Sequence, residues 1–123
     1  MALRCLIVDD STYFLDAARA ALESQGVEVV GIAANSAAAL RQAQALCPDV
    51  ALVDIGLGDE SGFELARRLV DGFTQLMTRV VLISTRAEDD YADMIATSPA
   101  VGFLSKSDIS ARALHELLNG DAF

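Results

Sequence analysis

The sequence predicts an α/β protein in which five strands alternate with helices to build one parallel sheet covered on both faces. Three observations carry this. Leu3–Val8, Val50–Val53 and Val80–Ile83 are short, nearly continuous runs of Val, Ile and Leu, the pattern of strands buried on both sides. Between the runs, apolar residues recur at helical spacing. The alternation of the two patterns is strict, which calls for parallel strands joined by right-handed crossovers.

Taken in order, the strand Leu3–Val8 is followed by a helix whose apolar face is Phe14, Leu15, Ala18, Ala21 and Leu22. Val27–Ala33 reads as a second strand, interrupted by Glu28 and Gly31 as tolerated near a sheet edge. Leu40, Ala43 and Leu46 share a face of the next helix. Val50–Val53 is the third strand, and Leu65, Ala66 and Leu69 mark the third helix. Val80–Ile83 is the fourth strand, and a short acidic segment, Glu88–Ala96, supplies the weakest helical pattern. Ala100–Leu104 closes the sheet, and Leu114, Leu117 and Leu118 face it from the last helix. Ser11, Ser36, Ser61 or Glu60, and Ser107-Asp108 lie near the starts of four helices, where side-chain oxygens cap free N–H groups. Gly120 follows the final helix as a stop. The pattern is that of a flavodoxin-like (βα)5 sheet.

With 123 residues, 53% of them hydrophobic, the chain has the size of one domain with one core. A net charge of −9 argues against direct binding to nucleic acid or an anionic membrane, since contact with either polyanion needs clustered Lys and Arg. Two cysteines, Cys5 and Cys47, make neither a disulfide framework nor a zinc spacing; both are read as buried thiols in a reducing, cytoplasmic setting. The apolar run before Asp9-Asp10 is too short for a signal segment or a membrane span.

In an open parallel sheet, ligands bind beyond the carboxyl ends of the strands. Four of the five strands end in polar residues of a useful kind: Asp9-Asp10, Asp54, Ser84-Thr85 and Ser105-Lys106. Any one of these could simply mark where a strand stops. Together they are harder to dismiss, because like charges at ~4 Å and an effective dielectric near 20 repel by about 4 kcal/mol per pair. A hard divalent cation such as Mg²⁺ suits a cluster of carboxylate oxygens, and Lys106 adds further positive charge. So neutralised, Asp54 can act as a nucleophile toward a phosphoryl group. Ser84 and Lys106 are placed to bind its oxygens.

These residues resemble the receiver domains of two-component response regulators. The matching motifs are Leu6-Ile7-Val8-Asp9-Asp10-Ser11, Asp54-Ile55-Gly56-Leu57 with Gly62 downstream, Val81-Leu82-Ile83-Ser84, and Gly102-Phe103-Leu104-Ser105-Lys106, in the family's order and spacing. The resemblance implies a single receiver domain over residues 1–123 with strand order 2-1-3-4-5. It implies that Asp54 is the phosphoacceptor, that Asp10, Asp54 and the Gly56 carbonyl ligate Mg²⁺ directly and Asp9 through water, and that Ser84 and Lys106 bind the phosphoryl group. Ser84 and Phe103 would form the switch that reshapes the surface near the fourth helix and fifth strand. The implied donor is a sensor histidine kinase or phosphotransfer protein, with small acyl phosphates as substitutes. The resemblance also admits a phosphorylation-dependent homodimer. On this reading the chain is not an enzyme in its own right, although it promotes its own phosphorylation and dephosphorylation. It is either a stand-alone module or the regulatory half of a helix-turn-helix transcription factor.

The sequence departs from the family pattern at several places. Ser107 and Gly58 stand where proline is common, Phe103 where tyrosine is common, and Thr85, followed by Arg86, where the residue after the switch hydroxyl is usually small. The peptide at Lys106-Ser107 is open to either isomer. The alternative function is a metal-dependent phosphohydrolase that forms an aspartyl phosphate. That class usually carries an acid/base Asp two positions on, which here is Gly56. A flavin or nucleotide carrier would bring its phosphate against Asp9-Asp10, and charge disfavours it. His115 reads as a surface or packing residue and Glu88-Asp89-Asp90 with Asp93 as a solvated face. Phe14, Phe63 and Phe73 read as core or rim packing.

Overall fold

The computed structural model describes residues 2–71, 78–85 and 91–119. The apolar runs form strands where expected: β1 (Arg4–Val8), β2 (Glu28–Ala33), β3 (Val50–Asp54), β4 (Arg79–Ser84) and β5 (Gly102–Ser105). All pair in parallel, in the order β2-β1-β3-β4-β5, which is the predicted order. The β1–β2 register shifts between Cys5 and Leu6, an irregularity suited to the edge position of β2.

Alternate residues of each central strand feed two separate cores, and this is why the strands read as continuous apolar runs. Leu6, Val8, Val53 and Leu82 pack beneath α2 (Ser36–Leu46) and α3 (Gly62–Asp71). Cys5, Ile7, Leu52 and Ile83 pack beneath α1 (Thr12–Ser24) and α5 (Ala111–Asn119). Each fully buried Leu or Ile contributes roughly 1.5–3 kcal/mol, so the middle of the sheet is rigid and the strand tips are held in fixed relation. The predicted helix faces mostly hold: Leu15, Ala18 and Leu22 are buried in α1, and Leu65, Ala66 and Leu69 in α3. Ala21 is exposed, a correction that narrows the buried stripe of α1.

Two caps fall one residue or more from the serines expected to make them. Asn35, not Ser36, caps α2, with its Oδ1 accepting the Ala38 N–H at 2.9 Å. Ser110, not Ser107 or Asp108, caps α5 through the Ala113 N–H at 3.0 Å. Ser107 and Asp108 instead belong to a 3₁₀ turn, Lys106–Asp108. Ser11 caps α1 as predicted. The helix expected over Glu88–Ala96 is seen as α4 (Ala92–Thr97). Phe73, Arg86, Glu88, Asp89, Asp90 and Gly120 lie outside the described residues.

Cys5 is buried, and burial pushes its thiol up to about 12. Cys47 is exposed, against expectation. It closes α2 in the left-handed conformation, φ 46°, so the chain leaves the helix there and the side chain stays outside the core. No helix among the described residues is long and apolar enough to cross a membrane.

Candidate functional site

The sheet registers bring the polar strand ends together. Val8 pairs with Val53, Asp54 with Ile83, and Ser84 with Ser105, so Asp9, Asp54, Ser84 and Lys106 lie side by side along the carboxyl edge. Asp9 has no exposed surface, and Asp54 and Ser84 are also buried. Asp10 is exposed above them. Carboxylate oxygens of Asp9, Asp10 and Asp54 all lie within 4.8 Å of one another. All the residues expected at the carboxyl edge are therefore found there.

Lys106 neutralises part of this charge. Its ammonium lies 2.5 Å from Asp9 Oδ2 and 3.2 Å from Asp54 Oδ2. The Asp54 contact is a hydrogen bond. The shorter Asp9 contact is poorly aligned, so buried Oδ2 has a charge beside it and no directed donor. Asp9 Oδ1 accepts the Ser11 N–H at 2.8 Å, which ties the acid to the start of α1. Burial and then the Asp9 charge push the Asp54 carboxyl above the ordinary value of 3.8, with the charge and hydrogen bond of Lys106 and the Gly56 N–H opposing them. Burial would lower the Lys106 ammonium; its contact with Asp9 and the charges of Asp54 and Asp9 outweigh that and raise it above 10.5.

The donor set among the described residues fits a hard cation: three carboxylates, one of them carrying a buried oxygen without a directed donor, with no histidine or cysteine in the group. The loop after Asp54 is shaped around the same point. A two-residue antiparallel ladder joins Gly56–Leu57 to Glu60–Ser61. Gly58 turns it at φ +62° with Asp10 Oδ2 close by, a conformation closed to the proline common at this position. Gly62 packs its Cα on the backbone of Asp54 and Ile55, where a Cβ would collide with the Asp54 carbonyl oxygen. Glu60 reaches across to accept the Ser36 N–H at 2.9 Å, fastening the loop to α2. Gly56 is exposed, and its N–H donates weakly to Asp54 Oδ1 at 3.4 Å.

Phe103, expected in the switch, is half-buried on β5 and packs against the core beneath α2 and α3. His115 is exposed on α5. Phe63 is buried, with Tyr91 near its ring at 6.2 Å. Phe14 is only half-buried, and its ring lies under the Lys106 ammonium, 4.5 Å from centroid to Nζ. The helical pattern of α1 gave Phe14 no role beyond packing, because its partner is far away in sequence. The peptide between Lys106 and Ser107 is trans.

A family profile described as response regulator receiver domain matches residues 5–119. A Pseudomonas aeruginosa protein bearing the name of a transcriptional regulator is 34% identical over 105 residues, 85% of this chain and 50% of its own. A protein-glutamate methylesterase/protein-glutamine glutaminase of Alkalilimnicola ehrlichii is 42% identical over 71 residues, 57% of this chain and 18% of its own. The chain thus spans half or less of the length of either relative. The solved signal receiver domain of NarL from Mycobacterium tuberculosis superposes with a TM-score of 0.77 at 32% identity, covering 98% of this chain and 94% of that one.

Proposed function

The chain belongs to the response-regulator receiver family, and on that premise we propose that Asp54 accepts a phosphoryl group in the presence of Mg²⁺ and so switches a partner-binding surface. The observation that carries the proposal is the meeting of Asp9, Asp10 and Asp54 within 4.8 Å, with Lys106 at 3.2 Å from Asp54. Receiver domains bind Mg²⁺ through acidic residues; here Asp10, Asp54 and the Gly56 carbonyl would hold it directly and Asp9 through water. When bound, the ion would supply positive charge that offsets the negative charge gathered at the site.

An Asp54 carboxylate oxygen attacks phosphorus. The new O–P bond forms as the bond to the donor's imidazole nitrogen, or to the acyl oxygen of a small acyl phosphate, breaks and its electron pair leaves with the donor. Lys106 then exchanges its hydrogen bond to Asp54 Oδ2 for one to a phosphoryl oxygen, a charge-assisted contact. Ser84, at the end of the adjacent strand, donates its hydroxyl to another. Movement of Ser84 gives Phe103 room to turn further inward, which alters the surface around α4 and β5.

The donor is a sensor histidine kinase or phosphotransfer protein, the partner class of the family. The transcriptional regulator among the relatives supports a role as the regulatory part of a DNA-binding protein, and the methylesterase shows that other outputs are joined to similar domains. Wild-type protein incubated with acetyl phosphate and Mg²⁺ gains one phosphoryl group by intact mass, and Asp54→Asn gains none. Equal labelling of the two proteins would overturn the assignment.

A further inference from the structure

The position of Lys106 depends on more than its carboxylates. Phe14 lies in the first turn of α1, where its backbone N–H donates to the capping Ser11 Oγ at 3.2 Å. The cap fixes the root of the side chain. The ring then faces Nζ at 4.5 Å from its centroid, inside the ~6 Å range in which an ammonium is attracted to an aromatic face. The ammonium therefore has the ring of Phe14 as well as Asp9 and Asp54 for neighbours.

These supports differ in kind. The Asp9 contact is short and badly aligned, so it draws the ammonium in without setting its direction. Both carboxylates are also expected to turn part of their charge to the divalent ion. A ring face offers no lone pair to such an ion and keeps its attraction for the ammonium. Beside it lies an open pocket of about 480 Å³ lined by Ser11, Phe14, Thr85, Ser105, Lys106 and Ser107. A flexible four-carbon stem has room to swing into that space once the ring is gone.

We propose that Phe14 is a positioning residue whose ring seats the Lys106 ammonium so that it faces the phosphoryl group on Asp54. The role rests on the reading of Asp54 as phosphoacceptor. It is tested with Phe14→Leu, which keeps an apolar side chain and removes the ring, and with Phe14→Tyr, which keeps the ring.

With acetyl phosphate at saturating Mg²⁺, Phe14→Leu is expected to label about fivefold more slowly than wild type and Phe14→Tyr within about twofold of it. Mg²⁺ affinity by calorimetry stays the same in all three. In the unphosphorylated proteins, the Lys106 ε-methylene protons are shifted upfield by the ring in wild type and Phe14→Tyr, and return to ordinary positions in Phe14→Leu. Wild-type labelling rates in Phe14→Leu, a failure of Phe14→Tyr to restore the rate, or an absent upfield shift in wild type would overturn the role of Phe14 alone. A wild type that takes up no phosphoryl group would overturn the Asp54 reading and this role with it.

Discussion

The two edges of the sheet each carry a cation among carboxylates, and they are built to opposite ends. At the amino edge, Arg4 meets Glu28 at 3.4 Å with side chains 39% and 58% exposed. Its backbone N–H donates to Asp49, and its guanidinium donates to the Cys47 carbonyl. This is a solvated fastening of β1 to its neighbours. At the carboxyl edge, Lys106 is 16% exposed, Asp9 0% and Asp54 11%. There the charges are withdrawn from water and, among the described residues, outnumber the one cation that touches them. A fold needs only the first arrangement. The second is costly for stability and becomes intelligible once a divalent ion and a phosphoryl group are to be received there.

The largest break in this comparison comes from Lys106→Met, which leaves Asp9 and Asp54 buried without their cation. We expect a loss of about 3 kcal/mol in urea unfolding without Mg²⁺, and a smaller loss when Mg²⁺ is added. A loss that ignores Mg²⁺ would mean that the lysine acts through packing and not through charge.

A smaller effect of opposite sign is expected from Asp54→Asn. Because the folded protein raises the Asp54 carboxyl above 3.8, the native state holds its proton more tightly than the unfolded chain. Ionising it therefore costs stability as pH rises through the raised value. Asp54→Asn removes that cost, and should gain about 1 kcal/mol at neutral pH. Its advantage should shrink as pH falls through the raised value toward 3.8. A variant less stable than wild type at neutral pH would contradict the sign of the shift. The smallest effect belongs to the other edge, where Glu28→Gln should change unfolding free energy by no more than about 0.5 kcal/mol, as exposed pairs do. A larger loss would erase the contrast between the edges.

Most of the fold was legible because strands buried on both faces leave unbroken runs such as Val50–Val53 and Val80–Ile83, and because α3 keeps a sharp apolar stripe. What escaped was decided by single backbone angles or by distant contacts. Asn35 and Ser110 cap where serines nearby were expected, since a cap depends on which residue leaves the helical conformation. Cys47 adopts a left-handed φ and comes out of the core, which composition cannot foretell. The ladder after Asp54 was unread because two-residue strands carry no period.

The site was legible at Asp9, Asp10, Asp54, Ser84 and Lys106, because strand ends in a parallel sheet converge whatever lies between them. Glu60 on the α2 N-terminus and Phe14 under Lys106 were not. Each contact joins residues far apart in sequence, and neither residue type announces such a partner. The positive φ of Gly58 also gives a physical reason for one departure from the family pattern, since proline cannot take that conformation.

The central claim is the identity of the acceptor, and the most direct measurement is to trap it. Protein phosphorylated with acetyl phosphate and Mg²⁺ is reduced with borohydride, which converts an aspartyl phosphate to homoserine, and its peptides are sequenced by mass spectrometry. Homoserine at position 54 and at no other aspartate is the predicted result. Homoserine at Asp9 or Asp10, or labelled protein that yields none, would contradict the account.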